Sequence, residues 1–449
     1  MSRTSFASKG TFTGGVHPPE RKALSADSAI ETLPTPGEVK IPFLQHIGAP
    51  AVPSVKRGEM VEVGQVVATA DAFICATIHS SVHGKVGMIG PVSLPNGRRV
   101  EALPVKADPE QPLVDQALYE DVLGGDWPVE GLEKYSPEQI VEAVKAAGLV
   151  GLGGAAFPTF VKLLKNDEKP IDTILVNGCE CEPYLTADDR LMIEAPKAAV
   201  CGALLAGRAT GAKEVIIAIE DNKPEAIKAI RKAASGTGLQ IAVLETKYPQ
   251  GGEKQTVKAS LDREIPSGGL PLDVGVVVIN VGTTAAIARA VTRDKPLTHR
   301  VVTVTGEGIT TPKNILAPVG APVSALLDFC GGLNEKATRV ISGGPMMGFA
   351  IGDLSTPITK GTSGITVLTG EDTEPVPSTQ CIRCGKCVDA CPLGLLPTRI
   401  ALACRAKDWE MAKRHHVLSC CECGSCAFQC PAGLPIVQLI RTGKMQMPK

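Results

Sequence analysis

The chain has 449 residues, enough for about three or four domains of ordinary size. Lys plus Arg number 46 against 47 Asp plus Glu, and aromatics make up 3 %, so neither a basic stripe nor a set of base-stacking rings points to nucleic acid. Hydrophobic residues reach 44 %, yet no run has the length and purity of a membrane span, and residues 1–15 carry no apolar segment of the secretory kind.

Residues 1 to about 35 form a polar arm rich in Gly and Pro. It includes Gly14-Gly15-Val16-His17-Pro18-Pro19-Glu20. Short β segments follow from Ile41 to about Val105. Two pieces, residues 55–68 (V-K-R-G-E-M-V-E-V-G-Q-V-V-A) and 78–86 (I-H-S-S-V-H-G-K-V), resemble the flattened barrel of biotinyl and lipoyl carrier domains. Those carriers place a lysine at the hairpin tip between the two pieces. Residues 69–77 contain none, so the scaffold is expected without its swinging arm, in a packing or docking role.

Residues 106–135 read as a polar linker. Ser136-Pro137-Glu138-Gln139 then opens a helix, with a serine cap, proline at the first position and glutamine three residues after the cap. Next comes Gly151-Leu152-Gly153-Gly154-Ala155-Ala156-Phe157-Pro158-Thr159. The glycine pattern matches a dinucleotide fingerprint, but it follows a helix where that fingerprint follows a strand. Two readings stand side by side: a phosphate cradle of backbone N–H groups with Lys162 just beyond it, or a tight helix–helix turn.

A β-α-β alternation continues with strands over residues 171–177, 215–219, 241–244 and 276–279 and a helix over 224–233. Asn177-Gly178-Cys179-Glu180-Cys181-Glu182-Pro183 follows the first of these strands, at the end where open sheets take ligands. Asn280 ends the last. Residues 300–348 read as a small α+β module, and 351–378 as a linker.

Ten of the 15 cysteines lie at or after Cys381, a pattern of thiols kept for metal. The spacing C-x2-C-x2-C-x3-C-P occurs twice, as Cys381, Cys384, Cys387, Cys391 and as Cys420, Cys423, Cys426, Cys430. A zinc ribbon needs no third cysteine or C-P pair, and a disulfide knot needs a secreted chain. The duplicated run is that of a two-cluster [4Fe–4S] ferredoxin, in which the fourth cysteine of each run ligates the other cluster. Cys381, Cys384, Cys387 and Cys430 are therefore assigned to one cluster, and Cys391, Cys420, Cys423 and Cys426 to the other. Cys421 is out of register and reads as a bystander.

Together these motifs resemble RnfC, a family of peripheral subunits of Rnf ion-translocating electron-transport complexes, over nearly the whole chain. The carriers are residues 14–20, 148–159, 177–190, 248–253, 343–348 and both cysteine runs. The middle is also similar to the FMN- and NADH-binding flavoprotein subunit of respiratory complex I, through Phe157-Pro158-Thr159 with Lys162 and through Asn177, Glu180, Glu182 and Pro183. Cys179 stands where that flavoprotein has Asp, and Gly252-Glu253-Lys254 where it has Gly-Glu-Glu.

The resemblance implies a multidomain α/β protein. Its parts are an arm and β barrel-sandwich over 1–125, an α/β flavin domain over 126–298, a β-grasp module over 299–350, a linker over 351–378 and an α-helical two-[4Fe–4S] domain over 379–449. It also implies that Gly151, Gly153, Gly154 and Lys162 hold the FMN phosphate. Asn177, Glu180, Glu253 and Asn280 line the flavin ring, and Phe157 and Glu182 meet NADH. The implied activity is that of an ion-translocating ferredoxin:NAD+ oxidoreductase subunit, peripheral on the cytoplasmic face of the membrane. Its partners are the other Rnf subunits, NAD(H), and ferredoxin through the complex. The rival is a soluble cobalamin reductase of the propanediol-utilisation type with the same flavin and cluster core, which begins near the flavin domain. A rival of another class is a ferredoxin-like carrier with a vestigial nucleotide fold.

Overall fold

The computed structural model describes residues 10–166, 168–374 and 377–447. Alternating apolar residues build the N-terminal barrel from two antiparallel sheets. Strands Glu38–Pro42, Arg99–Ala107, Gly84–Val86 and Met60–Val61 form one, with Gly90–Ser93 at its side; Val52–Pro53, Val66–Thr69 and Ile78–His79 form the other. Val39, Ile41, Val61, Val67, Ile78, Leu103 and Val105 fill the space between. The barrel packs on the glycine-rich segment and on the short helix that follows it. Ile47 N–H donates to Ala156 O at 3.2 Å, and the Phe73 and Phe160 rings meet edge to face at 6.4 Å.

A four-stranded parallel sheet forms the centre, in the order Gln240–Leu244, Glu214–Glu220, Thr173–Asn177, Val276–Asn280. Its strands read as continuous apolar runs because helices cover both faces. Helices Pro196–Thr210 and Val281–Arg293 cross closely at Gly202, where a Cβ would lie 1.7 Å from Thr284 O. The Ser136 cap forms as expected, a capping box with Gln139 at the start of helix Pro137–Ala146. The polar linker expected over 106–135 instead holds helix Asp115–Val122, and Leu118, Val122 and Trp127 drop into the main core. Polar residues dominate that stretch, and a few well-spaced apolar anchors are enough to dock it.

The next sheet has six strands, in the order Ile30–Thr32, Lys313–Pro318, His299–Thr305, Gly364–Thr369, Ala337–Ser342, Phe349–Ile351. Two of them come from outside residues 299–350. Ile30–Thr32 pairs parallel with Asn314–Leu316, and Gly364–Thr369, within the expected linker, is a fully buried inner strand. The run G-I-T-V-L-T has strand character, but only its long-range partners make it an inner strand.

Five short helices enclose the C-terminal cysteines: Lys386–Asp389, Pro397–Arg405, Trp409–Arg414, Ser425–Phe428 and Ile436–Gln446. The two cysteine runs are folded alike. Gly385 and Gly424 take left-handed conformations, φ 83 and 90, just before Lys386–Asp389 and Ser425–Phe428. Among the described residues no helix is long and apolar enough to cross a membrane.

One buried cation pins three parts together. Lys360 is 1 % exposed, and its Nζ donates to Thr77 O of the barrel at 2.8 Å and to Gly148 O of the central domain at 2.7 Å. His46 and His79 lie nearby. Burial first, and the Lys360 charge second, push them down from 6.5 to about 4 and about 3. Below pH 6.5 the unfolded chain takes up protons that these rings refuse in the native state, so stability falls as pH drops toward about 4. Replacing His79 by Gln is expected to flatten the fall of the unfolding midpoint between pH 6.5 and about 4. An unchanged slope would remove His79 from the account.

Candidate functional site

The site lies at the C-terminal edge of the central sheet. Strands Thr173–Asn177 and Val276–Asn280 run parallel in register, so Asn177 and Asn280 stand side by side. Asn280 caps helix Val281–Arg293. Its Oδ1 accepts from Gly282 N at 2.9 Å and Thr283 N at 3.3 Å, and its Nδ2 donates to Asp188 Oδ2 at 2.6 Å. Asn177 Nδ2 donates to Gly251 O at 2.8 Å.

The glycine-rich segment folds over this edge as a loop between helix Pro137–Ala146 and the short helix Thr159–Leu163. Gly151 N–H donates to Phe157 O at 2.9 Å, closing the loop, and Leu152 N–H donates to Thr283 Oγ1 at 2.9 Å, tying it to the helix start. Gly153 rests on Asn280; a Cβ there would come within 3.0 Å of the Asn280 Cβ. Gly154 has φ +137 with open space beside it, and both glycines are exposed. Among the described residues their N–H groups meet no acceptor. This is a cradle of free amide donors of the kind that takes a phosphate.

Lys162 stands on the following helix. Its Nζ donates to Val278 O at 3.0 Å and pairs with Glu253 Oε1 at 3.1 Å. Glu253 opens helix Glu253–Leu261. The structure thus gathers Gly151, Gly153, Gly154, Lys162, Asn177, Glu253 and Asn280 at one edge, with Phe157 half-buried at the end of the loop.

Glu180 and Glu182 both turn their carboxylates onto backbone amides. Glu180, at φ 47, turns both carboxylate oxygens onto the start of helix Ala187–Glu194, accepting from Asp188 N at 2.8 Å and Asp189 N at 3.1 Å. Glu182 accepts from Met347 N at 2.8 Å and Met346 N at 3.2 Å, and burial pushes its carboxyl up to about 7. Both are expected from the sequence to face ligand; the loop conformation between the two cysteines, which spacing alone does not reveal, aims them at backbone amides.

Sequence reasoning gives no role to Lys22 or Asp188. Lys22 Nζ donates to the carbonyls of Glu180, Glu182 and Leu185 at 2.8, 2.9 and 2.6 Å, clamping this loop from the arm. Asp188 holds Asn280, and burial together with the Glu180 charge raises it to about 7. The Thr-Ala-Asp-Asp-Arg run after the strand is the available signal for Asp188; none exists for Lys22.

In the C-terminal domain Cys391 joins Cys420, Cys423 and Cys426 around one cavity, lined also by Pro392, Ile400 and Val437. Cys391 ends the first run, so the grouping crosses the runs. Thr379 N–H donates to Ala432 O at 2.9 Å, bringing the chain just before Cys381 beside the chain just after Cys430. Cys421, expected to point away, borders the same cavity. Among the described residues no three acidic, His or Cys side chains crowd closely enough for a single metal ion. A four-iron cube spreads its thiolates to separate corners, which suits a cavity bordered by Cys391, Cys420, Cys423 and Cys426, with Cys421 a fifth thiol on its wall.

A parallel α/β domain with a glycine-rich loop of free amides, joined to a two-run cysteine domain, is the make-up of an iron–sulfur flavoprotein. Residues 144–289 match the Nuo51 FMN-binding domain and 380–435 the 4Fe-4S dicluster domain; 10–110 match the RnfC barrel sandwich hybrid domain and 301–350 the SLBB domain. FMN and two [4Fe–4S] clusters are the cofactors these domains take. The chain belongs to the RnfC family of ion-translocating ferredoxin:NAD(+) oxidoreductase complexes. It is 44 % identical to the RnfC-type subunit of the proton-translocating complex of Clostridium ljungdahlii, over 91 % of this chain and 87 % of that one. It is 42 % identical to the corresponding subunit of the Na(+)-translocating complex of Acetobacterium woodii, over 98 % and 97 %. It is also 42 % identical to the corresponding subunit of the ion-translocating oxidoreductase complex of Rhodobacter capsulatus, over 97 % and 82 %. The fold is shared with an NAD+-reducing [NiFe]-hydrogenase in its H2-reduced state, at TM-score 0.51 and 21 % identity, covering 72 % of this chain and 65 % of that one.

Proposed function

We propose that this chain is the NAD(H)-facing subunit of a membrane Rnf complex. It exchanges electrons between NAD(H) and FMN and relays them through two [4Fe–4S] clusters. The reaction served is ferredoxin:NAD+ oxidoreduction coupled to Na+ or H+ movement. The protein sits peripherally at the cytoplasmic face, against the other Rnf subunits. The observation that carries this reading is the meeting of the free glycine amides, Lys162, Glu253, Asn177 and Asn280 at one sheet edge.

Bound FMN supplies the exchange between an electron pair and single electrons, and the clusters supply one-electron steps. The chain supplies placement. The Gly153 and Gly154 amides and Lys162 would hold the phosphate, while Gly151, expected to join them, spends its N–H on Phe157 O and closes the loop; Asn177, Asn280 and Glu253 would line the ring. Glu180 acts through Asp188, which keeps Asn280 in place. Phe157, at the outer end of the loop, is the residue assigned to nicotinamide contact. Glu182, assigned with it, also fastens residues 346 and 347. The first cluster takes Cys381, Cys384, Cys387 and Cys430, the second Cys391, Cys420, Cys423 and Cys426. The cobalamin-reductase reading leaves the RnfC barrel match over 10–110 without a role.

Purified protein is expected to contain acid-extractable FMN and to reduce ferricyanide with NADH. A protein carrying iron but neither FMN nor this activity would favour the ferredoxin-like carrier.

A further inference from the structure

The N-terminal arm does not hang free. Glu245 N–H donates to Gly10 O at 2.9 Å, Lys247 Nζ donates to Phe12 O at 2.9 Å, and Val16 and Tyr248 exchange two backbone hydrogen bonds at 2.8 and 2.9 Å. The same few residues reach the cluster domain. Gly15 N–H donates to Ala390 O at 3.0 Å. Gly14, at φ +80, lies so close that a Cβ would stand 2.7 Å from Cys391 O, a backbone atom that cannot turn aside. The Tyr248 hydroxyl, buried, donates to Cys423 O at 2.6 Å. Val16, Tyr248, Ala390 and Cys423 form one apolar cluster with Cys181 and Met346 against it.

Tyr248 also begins a segment that ends in the flavin site. Three residues on, Gly251 O receives Asn177, and Gly251 N–H donates to Cys181 Sγ at 3.2 Å; Glu253, two further, pairs with Lys162. Residues 248–253 are therefore a shared wall, with the flavin-site residues at one end and Cys423 of the cluster cavity at the other, while Gly14 of the arm reaches Cys391 beside it.

We propose that Gly14, Gly15, Val16 and Tyr248 are positioning residues that strap the cluster cavity of Cys391 and Cys423 onto the wall of the flavin site, and so set the rate at which single electrons pass between the two. The inference rests on the functional reading above. The strap residues are neither oxidised nor reduced and carry no proton; they hold a separation. Simple packing would also bury them, but it would not slow one electron step while sparing the step before it.

The test uses the holoprotein and two variants, Gly14→Val and Tyr248→Phe. NADH–ferricyanide turnover reads the flavin stage. Rapid freezing with EPR reads the arrival of NADH electrons on the clusters, and amide hydrogen exchange reads residues 246–250 and 386–392. The expected result is wild-type ferricyanide turnover, flavin and iron, with faster exchange confined to those two segments. Cluster reduction should slow severalfold, since the rate at which single electrons pass between two centres falls steeply as their separation grows. Should Gly14→Val fail to fold, Tyr248→Phe alone carries the comparison. Wild-type exchange in both segments, or cluster reduction at the wild-type rate, would overturn the strap. If the wild-type protein shows no NADH oxidation, the functional reading fails instead, and the exchange measurement still decides whether the strap exists.

Discussion

Cys391→Ser is expected to strip the protein of one cluster, lowering iron from about eight toward about four per chain, while FMN content stays unchanged. Cys391 ends the first cysteine run but borders the cavity of Cys420, Cys423 and Cys426. Its loss should therefore abolish the EPR signal that Cys420→Ser abolishes, and leave the signal that depends on Cys381. Serine keeps the size of the side chain but binds iron poorly, so a folding failure is not built into the substitution. If Cys391→Ser instead removed the same signal as Cys381→Ser, each run would serve its own cluster and the crossed arrangement would be wrong.

Lys162→Ala should weaken FMN by about tenfold to a hundredfold, the loss of one charge-assisted bond worth roughly 1.5–3 kcal/mol. The lysine is already poised at the sheet edge by Val278 O, and its pair with Glu253 at 3.1 Å is partly exposed. A pair of that kind contributes little by itself, so it leaves the ammonium free to take a phosphate. Riboflavin, which has no phosphate, should bind the variant nearly as it binds the wild type. Equal losses for both ligands would show that Lys162 acts by anchoring the strand end and not by meeting the phosphate.

The parts of this protein that are legible in the sequence are those set by short-range chemistry. The C-x2-C-x2-C-x3-C-P runs carry their meaning in their spacing. The Ser136 cap, helix Pro224–Ala233 and the two strand-end asparagines follow from local patterns. What is not legible depends on contacts far apart in the chain. Ile30 pairs with Asn314, so the arm supplies a strand to a distant sheet. Residues 351–378 look like a linker until Gly364–Thr369 is seen between His299–Thr305 and Ala337–Ser342. Lys360, in that same segment, looks like a surface lysine, yet it is buried against two other domains. Within the site, residue type identifies Glu180 and Glu182 as important, but a backbone turn with φ 47 at Glu180 decides where they point.

The central claim is that electrons from NADH enter at the edge carrying Asn177, Asn280 and Lys162 and reach the cysteine domain. It is tested most directly by adding NADH to the purified protein without oxygen while recording absorbance and EPR. The account predicts that the flavin bands bleach and that a reduced [4Fe–4S] signal grows with them. Bleached flavin with no electron on either cluster would contradict it.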